Sequence, residues 1–198
     1  MDTSRAPEKQ SALDVAAALL AQRGEQAIDQ MKLHKLLYLV QAGSLAWFGR
    51  PAFDEAIEAW TWGPVVQRVA GYYMNFRRQP IPGPVIGDPT KLDERVMWLV
   101  DEILTVYGRL TGPQLAALTK QAGSPWKEAR GRLPDEAWSD VDIPQPLISE
   151  YHRKHGVLPA QPAPSENALA QRFFDGDEEA LAQLAQAVTG ARPTITTV

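Results

Sequence analysis

Met31-Lys32-Leu33-His34-Lys35-Leu36-Leu37-Tyr38-Leu39-Val40-Gln41 opens a stretch that runs on through Trp60-Thr61-Trp62-Gly63-Pro64-Val65-Val66. It closes on Tyr72-Tyr73 and Arg77-Arg78. Its first part places Leu33, Leu36, Leu37, Val40 and Trp47 on one helical face. Asp29 stands where a cap is needed and Gly49-Arg50-Pro51 where the helix must stop. Glu55 to Trp62 keeps no helical period, and Ile57, Trp60 and Trp62 suit a short strand. Gly63-Pro64 is then expected to start a third helix, because proline at the first helical position lacks only an N–H the helix cannot use. That helix would present Val65, Val66, Val69, Tyr72, Tyr73 and Phe76.

The flanks read as further helices. Ser11, with Asp14 in the first turn, caps a segment striped by Leu13, Ala16, Ala17 and Leu20 and stopped at Gly24. Gln79 to Pro89 holds four prolines and two glycines and must be loop, with an extended piece at Val85-Ile86. Thr90 with Asp93 opens a helix whose Leu92, Val96, Leu99, Val100, Ile103 and Tyr107 share one face, and Gly108 ends it. Thr111 with Gln114 is a capping box for a helix through Thr119, and Ser124-Pro125 launches Trp126 to Arg130. A last core helix is expected from Pro144 to His155, with Leu147, Ile148 and Tyr151 inward and Gly156 stopping it.

Beyond Gly156 the composition shifts. Leu158 to Pro164 holds three prolines, and Asn167–Phe174 and Asp177–Val188 suit two short helices. From Val157 onward there are two basic and five acidic residues, most of the net charge of −4. The expectation is a mainly α fold: a compact domain of six to seven helices with a small β element over 10–156. An acidic, proline-containing C-terminal extension would occupy 157–198.

Composition excludes several function classes. With 20 basic against 24 acidic side chains, the chain lacks the concentrated positive charge of a phosphate-backbone binder, so nucleic acid is not an expected partner. It has no cysteine, which removes disulfides, thiolate zinc sites and cysteine nucleophiles. The N-terminal residues lack the apolar stretch of a signal peptide. No apolar run reaches the roughly 18 residues a membrane helix needs. A soluble, cytoplasmic protein without a membrane partner is expected.

The candidate chemistry is thin. His152 and His155 share a helix face, but a zinc site needs a third ligand. Helix-end histidines are more simply read as dipole partners. His34 would need a tuned environment to act as a base. Asp175-Gly176-Asp177-Glu178-Glu179 is too short for a calcium loop. Phosphate-loop, nucleophile-elbow and His-Glu-x-x-His patterns are absent from the sequence. No catalytic residue, metal or cofactor is therefore assigned, and the chain reads as a non-enzyme. The aromatics point to binding instead. Trp47, Phe48, Trp60, Trp62, Tyr72, Tyr73 and Phe76 crowd together with Arg50, Arg68, Arg77 and Arg78. Adjacent Tyr72 and Tyr73 cannot both face inward on one helix. Trp, Tyr and Arg dominate binding hot spots, so Trp62, Arg68, Tyr72 and Arg77 are the candidate partner-binding residues.

Three ordered blocks resemble a known family. Lys32 to Tyr38 is similar to the Lys-Leu-x-Lys-Leu-Leu-Tyr signature of the Panacea antitoxin domain, also called the SocA-like or phage-associated GepA-like domain. Phe53-Asp54-Glu55 through Glu58-Ala59-Trp60 and Gly63-Pro64-Val65-Val66 resembles its Glu-Ala-Trp…Gly-Pro-Val block. Leu115–Thr119 with Ser124–Ala129 resembles its closing Pro-Trp segment. Lys120 stands where the family commonly has histidine, and Gln67 where proline often follows. The resemblance implies a mainly helical antitoxin that neutralises a co-encoded protein toxin by direct contact. It also implies a second mode, in which the antitoxin is an adaptor delivering the toxin to an ATP-dependent protease such as ClpXP. The competing readings are a small hydrolase using His34 or a His152/His155 metal site, and a DNA-binding autoregulator.

Overall fold

The structure is a computed structural model, and it describes residues 10–155. Among these residues are seven α-helices and one two-stranded antiparallel sheet, a mainly α fold as expected. The helices are α1 (Ala12–Gln22), α2 (Gln30–Phe48), α3 (Gln67–Tyr73), α4 (Glu94–Tyr107), α5 (Gly112–Thr119), α6 (Pro125–Arg130) and α7 (Gln145–His155). The strands are β1 (Glu58–Trp60) and β2 (Gly63–Val65), between α2 and α3. Gly156 and the extension of 157–198, with its two expected helices, lie outside the described residues.

Helix starts follow local side-chain chemistry. Ser11 Oγ accepts from Leu13 N, Asp29 from Lys32 N, Asp93 from Val96 N and Ser124 from Lys127 N. Thr111 and Gln114 form the full reciprocal capping box. Each such cap satisfies an amide that the helix itself leaves unpaired. Gly49 ends α2 in the left-handed region.

Helix α2 is the axis of the fold. It packs against α1, α3, α4, α5, α7 and β2, and every residue from Lys32 to Ala46 is buried. The apolar stripe read from its sequence is therefore only part of what it buries. Helix α1 is also enclosed, from Ala12 to Leu20, because its run of alanines lets neighbouring elements come close on several sides. Its one buried carboxylate, Asp14, accepts the Asp88 amide at 2.8 Å. The predicted face of α4 is buried throughout, and burying each large apolar side chain there contributes about 1.5–3 kcal/mol.

Several expectations need correction. Gly63-Pro64-Val65 does not start a helix; it forms β2, Val66 caps α3, and the helix begins at Gln67. Gly63 has φ 103°, a conformation no helix start uses. Trp62 lies in the turn after β1 rather than in the strand. The α4 cap is Asp93, while Thr90 belongs to a separate one-turn segment capped by Asp88. Val85 and Ile86 are irregular, and Trp47, expected on the apolar face of α2, is half-buried. In α7 the inward residues are Ile148 and His152, with Leu147 and Tyr151 half-buried.

Candidate protein-binding surface around the hairpin

Strands β1 and β2 pair as Glu58↔Val65, Ala59↔Pro64 and Trp60↔Gly63, leaving Thr61-Trp62 as a two-residue turn. A tight turn of this kind needs positive φ nearby, and Gly63 supplies it. On the other side of β1 the chain returns near its end. Asp142 bridges Glu58, Ala59 N donates to Val141 O at 2.7 Å, and Ile143 N donates to Ile57 O at 2.7 Å. The segment before Ile143 thus extends the sheet by one short, outer partner.

The hairpin is held from below by the blocks that flank it in the sequence. Lys35, fully buried in α2, donates from Nζ to Pro64 O at 3.0 Å. Gly63 has to be glycine here for a second reason. A β-carbon on it would lie 2.7 Å from Lys35 Cε and 3.2 Å from Thr119 Oγ1. Lys120, at the end of α5, donates to Thr61 O at 3.1 Å. Its ammonium sits 4.5 Å from the Trp126 ring centre and 5.9 Å from that of Trp62, both within cation–π range. Trp126 donates to Trp60 O at 2.7 Å.

Arg130 completes the support. It stacks 4.8 Å from the centre of the Trp126 ring, donates to Ala59 O at 2.9 Å, and reaches Pro134 O and Ala137 O at 2.7 and 2.6 Å. One guanidinium therefore ties the returning segment to β1. Thr61 Oγ1 adds a hydrogen bond to Ala137 O at 3.2 Å.

The groups that could carry chemistry are locked in the core. Burial, and then the charge of Lys120, pull the Lys35 ammonium down to about 7, against a smaller upward pull from Asp29. Lys32 donates to Ala27 O and to Gly108 O, the latter at the C-terminal end of α4, where its charge meets the negative end of the helix dipole. His34 is pushed down to about 3 by burial and by neighbouring Lys35. Its Nδ1 faces Val66 N at 3.4 Å, the sort of long bond that holds an imidazole neutral and in place. His152 Nε2 pairs with Tyr38 OH at 2.9 Å, and burial followed by the charge of His155 pushes this imidazole down to about 4. Burial raises the Tyr38 hydroxyl. His155 is exposed and bonds Tyr151 O, so the two histidines of α7 do not converge on a common point.

The four candidate residues are all exposed, but they belong to different neighbourhoods. Trp62, 67% exposed, leans toward Lys120 at the hairpin tip. Arg68 pairs with Glu55 at 3.0 Å, and Glu55 in turn accepts from Ser11 Oγ and Ala12 N at the start of α1. Tyr72 is 47% exposed on the outer side of α3, with Tyr73 fully buried behind it. Arg77 follows the one-turn segment after α3 and has φ 49°. Sequence reasoning passes over Trp138, which is 71% exposed on the segment tied down by Arg130. Its signal is a tryptophan in a run without helical period, Asp135-Glu136-Ala137-Trp138-Ser139-Asp140, which offers no buried face for it.

The blocks that meet at the hairpin are also those that carry the resemblance. Residues 33–127 match the family model of the antitoxin SocA-like Panacea domain. The Panacea match runs from the second turn of α2 into α6 and so spans the hairpin and most of its support. Antitoxin SocA of Caulobacter vibrioides (strain NA1000 / CB15N) is 31% identical over 125 residues, covering 58% of this chain and 63% of that protein. The chain thus spans less than two thirds of the length of this curated relative. No solved structure matches. Lys120, the departure from the family's common histidine, still delivers a donor to the hairpin turn, and Gln67 takes the first position of α3.

Proposed function

We propose that this protein is an antitoxin that neutralises a co-encoded protein toxin by direct contact, acting as a binding module without catalysis of its own. The observation that carries this reading is the match of residues 33–127 to the antitoxin SocA-like Panacea domain. The site geometry supports it. His34, Lys32 and Lys35 of the signature helix are buried and bonded to backbone groups, while Trp62 stands exposed on the braced hairpin and Tyr72 on α3. Rigid, exposed Trp and Tyr lose little freedom on binding, which is what makes them anchors.

Toxin contact is assigned to Trp62, Arg68, Tyr72 and Arg77, within a domain of 10–156 working in the cytoplasm. A blocking complex of ordinary kind buries roughly 800 Å² on each partner, more than the hairpin tip alone offers. Contacts spread along α3 would supply the rest. The protease-adaptor mode needs a second surface, which the acidic extension of 157–198 would contribute.

Co-expression with the neighbouring gene's product tests the main reading. The wild-type chain is expected to restore growth and to co-purify with that product, and Arg68→Ala with Tyr72→Ala to lose both while staying folded. Failure of the wild type to rescue would sink the antitoxin reading; full rescue by the double variant would move the interface. Toxin half-life, followed after antitoxin shut-off, separates the two modes. A half-life that lengthens indicates delivery to a protease, and an unchanged one indicates occlusion.

A further inference from the structure

The outer sheet edge carries a surface that the aromatic and arginine candidates do not include. Asp142 faces Glu58 as a bridge partner whose flanking residues, Val141 and Ile143, make the hydrogen bonds to β1. In an antiparallel ladder this alternation turns the N–H and C=O of Asp142 itself away from β1, toward solvent. An outward-facing strand edge is a template for another extended chain. The edge here is one bridge residue long, and the segment leading to it is braced: Arg130 fixes Pro134 and Ala137, Thr61 fixes Ala137, Ser139 Oγ accepts the Val141 amide, and Trp138 and Val141 stand exposed beside it.

Charge selects the occupant. Between Arg132 and Asp142 there are one basic and four acidic residues, and among the described residues the ion pair these acids make is Asp135 with Lys127. Glu136, Asp140 and Asp142 are exposed. The edge then opens into a cleft of about 230 Å³ lined by Asp54, Glu55, Ile57, Asp142 and Gln145 among others. Asp142 belongs to both, so a chain paired at the edge would lead a basic side chain past the Asp142 carboxylate toward the cleft mouth. The chemistry that fits is an extended segment with Lys or Arg at alternate positions, to meet Asp142, Asp140 and the Trp138 ring on one face, and apolar groups between them to meet Val141 on the other.

We propose that Asp142, with the acidic segment leading to it from Trp138, is a β-addition site for a basic, extended segment of the toxin. This rests on the antitoxin reading above and adds a docking site beyond Tyr72 and Arg77, adjoining Arg68 through Glu55 at the cleft. The test uses the full chain with two probes: the neighbouring gene's product, and a synthetic ten-residue peptide alternating Lys and Val. Asp140→Lys with Asp142→Lys and, separately, Trp138→Ala alter only exposed groups. Each is expected to weaken binding of both probes by about tenfold or more. The charge-reversal effect should shrink as salt rises, because exposed charges are screened. Hydrogen exchange at the Asp142 amide is expected to slow when either probe binds.

The outcomes separate the two claims. Tight toxin binding that is indifferent to both variants, with the Asp142 amide unprotected, overturns the edge site and leaves the antitoxin reading standing. If the neighbouring product fails to bind wild type at all, the antitoxin reading falls. The peptide then decides the edge by itself: salt-sensitive binding lost on charge reversal supports the site, and no binding, or binding unchanged by the variants, overturns it.

Discussion

The floor of the hairpin and its rim are built from opposite materials. On the floor, Lys35, His34, Tyr38 and His152 are the residues a chemist would pick out, and each is buried. On the rim, Trp62 and Trp138 are chemically inert and exposed. The difference shows where reactivity was traded for architecture. Lys35 reaches Pro64 O because a buried carbonyl in a short strand needs a donor and α2 passes close enough to send one. Once there, the lysine is screened from any substrate. The rim groups have few internal partners, which leaves them available to another molecule.

The comparison predicts large stability effects from the floor and almost none from the rim. Trp126 is fully buried, stacks on Lys120 and Arg130 and donates to Trp60 O. Trp126→Ala should therefore cost roughly 3–5 kcal/mol, as large aromatic-to-alanine changes in cores do. Urea unfolding would measure it, and a loss below about 1 kcal/mol would mean the floor does not brace the hairpin. Gly63→Ala should cost less, about 1–3 kcal/mol. Its φ of 103° and the 2.7 Å approach to Lys35 Cε both resist a β-carbon, but the lysine end can shift.

How much of this could be read in advance follows from where each partner lies in the chain. The caps at Ser11, Asp29, Thr111 and Ser124 are legible because donor and acceptor sit two or three residues apart. So is the α4 face, whose periodicity is local. Gly63-Pro64 is misread because the same dipeptide suits a helix start, and the fact that decides against it, Lys35 packed on Gly63 from 28 positions earlier, is not local. The lysines of the signature helix would be assigned to its solvent side on polarity alone. They are buried because Pro64, Ala27 and Gly108 bring carbonyls to them. Of the site, Trp62 and Tyr72 are legible as exposed aromatics. Trp138 shows only through the aperiodic run around it, and its position depends on Arg130 pinning the segment from several residues away.

Acid offers a graded test of the floor. His152 is lowered to about 4 in the folded state against an ordinary value of 6.5, so between those values the unfolded chain holds more protons. Its contribution to stability is complete above pH 6.5 and is lost as pH falls toward 4, on the order of 1–3 kcal/mol. His34, lowered to about 3, extends the loss further. His152→Gln should flatten the stability-against-pH curve between 6.5 and 4. A slope unchanged by this substitution would mean the imidazole is not neutral beside Tyr38. Lys35 acts at the other end. Being lowered to about 7 from 10.5, it makes stability rise with pH across that interval, and Lys35→Met should remove this rise.

The smallest effect on stability should come from the most exposed tip residue, and it is the sharpest test of the comparison. Trp62 makes no hydrogen bond through its ring among the described residues, and its cation–π neighbour, Lys120, keeps its bond to Thr61 O and its stacking on Trp126 when the indole is removed. Trp62→Ala should then change unfolding free energy by no more than about 0.5 kcal/mol. Its hydrogen-exchange pattern across β1 and β2 should stay that of wild type. Under the proposed antitoxin function, rescue by Trp62→Ala should by contrast drop, because an exposed tryptophan on a braced turn contributes through what it buries in a partner. A stability loss of 2 kcal/mol or more, roughly the scale of a buried aromatic, would place Trp62 with the floor. An unchanged stability with unchanged rescue would make it neither, and would leave Trp138 and the Asp142 edge as the remaining candidates for the proposed partner contact.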